Sequence, residues 1–181
     1  LSVSSHIVAY LGPKWTAGLF ATLGTLAIGV VGIVSVVWPS LPLAIAVMVI
    51  FGMGTSITDV AINVEGADVE KERGRTIMPW FHGFFSLGTA VGGGLGAAVA
   101  GVGIGVEYHF PAVAIILLPA VGYATWLMGG ERAPVPDDQP VERSTLKSRM
   151  AVWGEGRTLL VGIVALSMAF AEGSANDWLA L

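Results

Sequence analysis

The chain contains no cysteine, which excludes disulfides and thiolate metal sites and leaves the redox compartment unread. Charge is nearly as scarce: 12% of the 181 residues are Asp, Glu, Lys or Arg, about half the share of an average soluble domain. There is no basic patch for nucleic acid, no metal-ligand cluster and no Ser/His/Asp order that suggests nucleophilic catalysis. The glycines of residues 101–106 (GVGIGV) lack the strand–turn–helix context of a nucleotide-binding loop. No metal, cofactor or enzymatic activity is therefore expected.

What remains is apolar. Hydrophobic residues make up 54% of the chain and mean hydropathy is +0.76, which points to lipid as the solvent. Glycine is abundant at 25 residues, as in membrane helices whose backbones approach closely. The sequence starts at Leu1 with no methionine and no signal-peptide n-region, and it stops at Leu181 with an apolar run barely finished. It reads as an internal piece of a longer protein.

The apolar runs predict an all-α, polytopic helical bundle. Leu1–Leu11 is too short for a bilayer, which needs about 20 apolar residues, and reads as the tail of a span. Full-length spans are expected over Trp15–Val37, Leu43 to about Val64, about Ile77 to Val102, and Phe110–Met128. A polar, proline-rich connection, Gly129–Gly156, follows, and Arg157–Leu181 opens a fifth span. The division expected is residues 1–128 as part of one helical half, 129–156 as the link, and 157–181 as the first span of a second half.

The nine Lys and Arg residues alternate between connections. Lys14 precedes the first span, and Lys71, Arg73 and Arg75 lie between the second and third. Arg132, Arg143, Lys147, Arg149 and Arg157 lie between the fourth and fifth. Turns 38–42 and 103–109 carry none. By the positive-inside rule, connections 12–14, 65–76 and 129–156 face the cytoplasm.

Some polar groups fall inside the spans. Asp59, Asn63, Gly66 and Glu70 share one helical face, and His82, Ser86, Thr89 and Gly93 share one face of the next span. Counted from the turn between them, Asn63 matches His82 in depth and Asp59 matches Ser86, so a hydrogen-bonded ladder is expected. Such a ladder either braces the hairpin or lines a water-filled path in which Asp59 or His82 changes protonation. An enzyme built on Asp59 and His82 would need the two to meet around a reacting atom. Glu172 lies about 22 Å along a helix from Arg157, with Asn176 one turn on, and is the stronger candidate for proton coupling. Gly88, Gly92 and Gly96, thickened by Gly93, form a small-residue seam suited to helix packing.

SHIVAYLGPK at 5–14, GMGTSITDVAINVEG at 52–66, GR at 74–75, FHGFFSLG at 81–88 and EGSANDW at 172–178 together resemble the major facilitator superfamily. The resemblance runs from the end of its second span to its seventh, in a bacterial branch loosely allied to sugar and drug permeases. Residues 5–14 take the place of the family loop G-x-L-A-D-R-x-G-R-K, keeping Gly12 and Lys14, with Ser5, Ala9 and Tyr10 in place of Gly, Asp and Arg. Residues 88–93 are similar to the antiporter motif G-P-x-x-G-G with Thr89 for proline, and the intramembrane arginine common in the fourth span of the family's proton-driven exporters is absent. The resemblance implies a secondary transporter in the inner membrane, moving a small sugar-like or drug-like solute by alternating access. Protons are the candidate coupling ion, with Glu172 and Asp59 as carriers, and lipid is the other partner. The eroded loop motif keeps a second reading open: a receptor-like or structural protein of the same fold that does not transport.

Overall fold

The computed structural model describes residues 3–128, 154–160, 162–164, 166 and 167. The chain divides into two compact units, Leu1–Arg132 and Ala133–Leu181. The first holds α1 (Val3–Leu11), α2 (Pro13–Val37), α3 (Leu41–Arg73), α4 (Met78–Gly101) and α5 (Val106–Leu127). No strand occurs among the described residues. In the second unit, residues 156–160, 162–164, 166 and 167 are helical, at the start of the run expected to be a fifth span.

The helix starts and stops follow from local chemistry. Gly12 takes φ 81°, ψ 158°, a conformation open to glycine alone, and Pro13 suits the first helical position because its missing N–H would go unused there. The second full-length helix departs from expectation. The apolar run predicts a stop near Val64, yet α3 continues to Arg73. The extension EGADVEKER is rich in good helix formers, and Lys71 and Arg73 in its last turn suit the negative end of the helix dipole. Gly74 ends it at φ 58°, the left-handed stop typical of helix C-termini. At 33 residues the helix is about 50 Å long, well beyond a hydrocarbon core of about 30 Å. Its charged last turns therefore stand outside the membrane.

Packing in the first unit centres on α2, which lies between α3 and α5; α1 touches α2 and α3, and among the described helices α4 touches only α3 and α5. Small residues make the contacts. A Cβ on Gly54 of α3 would sit 2.8 Å from the Phe20 carbonyl oxygen and 2.9 Å from Gly24 Cα. One on Gly29 would be 2.9 Å from Ala114 Cβ, and one on Gly32 would be 2.7 Å from the Val106 carbonyl oxygen. Gly32 thereby makes room for the start of α5, where Pro111 lies within the helix. At the charged end, buried Val8, Ala17 and Ala61 form one cluster, with Val60 and Met128 packed against it.

The large side chains point the other way. Leu19, Leu23, Leu26, Val30 and Ile33 of α2 are all exposed, and their spacing of three and four makes one continuous outward stripe. Glycine and alanine inside with leucine and valine outside reverses the soluble pattern and fits a helix bundle in lipid. Helices α2 to α5 are each long and apolar enough to cross a membrane. Exposed Trp15, Trp80, Tyr123 and Trp126 lie near the charged end, and exposed Trp38 and Tyr108 lie near the other. Such girdles mark the two interfaces. From Trp15 to Trp38 is about 34 Å of helix, close to the thickness of the hydrocarbon core.

Candidate functional site

The faces of α3 divide its labour. Gly54, Ile57 and Ala61 are buried on the side that meets α2. Thr55, Asp59, Asn63, Gly66 and Glu70 follow on the opposite side at helical spacing. Asp59 is exposed within this unit. The Asn63 amide donates to the Asp59 main-chain oxygen at 3.0 Å and to its carboxylate Oδ1 at 3.2 Å. The pair is thus joined along one helix, and the second carboxylate oxygen remains available to another group. Because α2 and α3 are antiparallel with Gly24 against Gly54, Asn63 lies level with Trp15. Asp59 lies about one turn, or 6 Å, deeper.

The expected ladder from α3 to α4 does not form among the described residues. The two helices meet at the charged end, where Gly66 receives α4. A Cβ there would be 2.8 Å from Met78 Sδ and 3.0 Å from the Phe81 ring. Above that point α4 leaves α3. Its residues include none that are buried, and His82 and Ser86 are exposed. No hydrogen bond joins them to Asp59 or Asn63 among the described residues. Asn63 has its bonds within α3 instead, which the i, i+4 spacing allows. No contact among the described residues brings Asp59 and His82 together, so the pair does not meet around a reacting atom.

The glycine seam of α4 also faces open space. A Cβ added at Gly88, Gly92 or Gly93 would have nothing within 4 Å, and one at Gly96 would meet only His109 Cε1, at 3.7 Å. Within this unit the close-packing glycines are those of α2 and α3, together with Gly66. The two loop-motif residues hold structural posts: Gly12 shapes the turn, and the Lys14 ammonium donates to the main-chain oxygens of Trp126 at 3.3 Å and Met128 at 2.9 Å. Lys14 thereby closes the C-terminus of α5, where unpaired carbonyls attract a cation. Glu172 and Asn176 lie outside the described residues.

Sequence reasoning missed two further posts. It put Glu70 on the polar face of α3 but gave it no partner; its Oε2 accepts the N–H groups of Ile77 at 3.2 Å and Met78 at 3.0 Å. It passed over Gly54 altogether. The tight approach at Gly54 had no local signal beyond the residue type, since its cause is the register with Gly24.

A bundle with small residues inside, apolar residues outside, aromatic girdles and a polar stripe on its longest helix is a multi-pass α-helical membrane protein. Two curated relatives extend that assignment. The chain is 35% identical to an uncharacterized MFS-type transporter of Yersinia pestis over 142 residues, 77% of this chain and 33% of the relative. It is 32% identical to an uncharacterized transporter of Sinorhizobium fredii over 146 residues, 79% of this chain and 36% of the relative. The chain belongs to the major facilitator superfamily. It spans about a third of the length of the curated relatives it matches. No family profile matches it, and no solved structure does.

Proposed function

We propose that this chain supplies part of the solute path of a secondary transporter that works by alternating access in a bacterial inner membrane. The carrying observation is the placement of Asp59 and Asn63 on the α3 face turned away from α2, with Asn63 at the level of the aromatic girdle and Asp59 one turn inside it. A carboxylate facing lipid costs about 2.5 to 3.5 kcal/mol at the centre of a membrane helix and less one turn inside the interface, and aspartate is too short to reach the interface itself. The stripe therefore needs a neighbour other than lipid, either further helices or water. In alternating-access folds, sites for solute and coupling ion lie where helical units face one another. The transporter names of both relatives support the same reading.

In this reading Glu172 carries the coupling proton, and Asp59 is a second or gating carboxylate. The end bearing Lys14, Lys71, Arg73 and Arg75 faces the cytoplasm, by the positive-inside rule. The solute is small and sugar-like or drug-like. The test is flux of a substrate panel into proteoliposomes holding the full-length protein, with and without an imposed proton gradient. Flux of one class that rises with the gradient supports the reading. Saturable binding with no flux for any bound compound would replace it with the non-transporting alternative.

A further inference from the structure

The first turn of α4 has a problem that its own sequence does not solve. A helix start leaves its leading N–H groups without partners. The residue before α4 is Ile77, whose side chain makes no capping bond. Pro79 has no N–H to satisfy, and Trp80 N donates to the Ile77 carbonyl oxygen at 2.9 Å. The two N–H groups of Ile77 and Met78 are both taken by Glu70 Oε2. Glu70 belongs to the part of α3 that stands outside the membrane, so the cap of one span is carried by the preceding helix.

The same foot is shaped by Gly66, one turn below Glu70, which admits Met78 and Phe81. Beyond the foot α4 meets nothing at Gly83, Gly88, Gly92 or Gly93, and its other glycine contact is Gly96 against His109 at the far end. Tilting α4 about its foot would disturb little glycine packing among the described residues, its far end moving with the hydrogen-bonded turn of residues 102–105 that joins it to α5. It would keep the Glu70 bonds, because they lie at the axis. The gap between α3 and α4 beyond Gly66 would widen or narrow with that tilt.

We infer that Glu70 is a positioning residue: it pins the first turn of α4 to α3 as a pivot and so sets the angle between the two helices. What the pivot does for the solute rests on the transport reading above, whereas the pivot itself does not. Its operative feature is a carboxylate-like acceptor at the right reach. Glu70→Gln keeps one oxygen that can accept both N–H groups. Glu70→Ala removes the acceptor, and Glu70→Asp is one methylene too short.

The experiment uses the full-length protein in proteoliposomes, with spin labels at Val49→Cys on α3 and Leu95→Cys on α4. These exposed positions lie toward the far ends of the two helices, and this chain adds no native cysteine to compete. Leu95 lies about 22 Å from the foot, so a tilt of about 10° moves it by about 4 Å. Glu70→Ala and Glu70→Asp are expected to shift or broaden the interlabel distance by several ångströms, and Glu70→Gln to restore the parent distribution. A parent-like distribution in Glu70→Ala would overturn the assignment, as would Glu70→Gln behaving like Glu70→Ala. Distances that respond as expected in a protein showing no flux would leave the pivot standing and refute only the transport reading.

Discussion

Adding one methyl group at Gly54 tests whether glycine backbone contact joins α2 and α3. The Cβ of Gly54→Ala would lie 2.8 to 2.9 Å from three backbone atoms, the Phe20 oxygen and the Gly24 Cα and nitrogen. Carbon pairs prefer about 3.5 to 4.0 Å, and none of these atoms is the end of a flexible side chain. The helices must separate by about 0.5 to 1 Å. A gap of that size forfeits about a quarter to a half of each dispersion contact across the interface, including those of Ile57, Ala61, Ala17 and Ala27. Overpacking of this kind costs about 1 to 3 kcal/mol, offset by about 0.8 to 1 kcal/mol gained when alanine replaces a helical glycine. Gly52→Ala, with nothing within 4 Å, isolates that gain. Gly24→Ala meets its nearest atoms at 3.7 to 3.8 Å, an ordinary contact, and should be tolerated although Gly24 faces Gly54. Thermal unfolding of the full-length protein in detergent should rank Gly52→Ala most stable, then Gly24→Ala, with Gly54→Ala last by about 1 to 3 kcal/mol against Gly52→Ala. Equal stability of Gly54→Ala and Gly52→Ala would refute the close approach.

Lys14→Met removes both bonds to the end of α5 and should cost about 1 to 2 kcal/mol, read by the same melts; an unchanged melt would show that the ammonium is not used there. Asp59→Asn should leave the melt within about 0.5 kcal/mol of the parent, as for surface positions away from a packed core, while solute flux falls; loss of stability without loss of flux would make Asp59 a bracing residue. Glu172→Gln should abolish proton-coupled uptake in the full-length protein, and undiminished coupled uptake would remove Glu172 from the coupling role.

The four spans among the described residues, their alternation and the charged end of the bundle were legible because each depends on local features: run length, proline and glycine stops, and the placement of Lys and Arg. The polar face of α3 was legible for the same reason, since helical spacing alone puts Asp59 and Asn63 on one side. The α3 extension was legible in part: the shared face carried the helix to Glu70, whereas the apolar run alone stops near Val64, because charge reads as a loop signal although EGADVEKER is a good helix outside the membrane. The ladder between α3 and α4 follows from matched depth alone. Depth does not report the angle between two helices, and here α4 diverges above Gly66.

By itself the sequence determined that this chain is an α-helical membrane protein of transporter lineage, with a polar stripe on its second full-length span. Hydropathy and periodicity are properties of a single segment and need no partner. Only the tertiary structure decided which glycines are packed and what the scattered charges hold. Gly54 is critical because Gly24 lies opposite it, and the Gly88–Gly92 seam meets nothing among the described residues. Lys14 closes a helix that ends more than a hundred residues away, and Glu70 opens one that starts beyond its own. Contacts of that kind arise from register and crossing angle, which no single segment encodes.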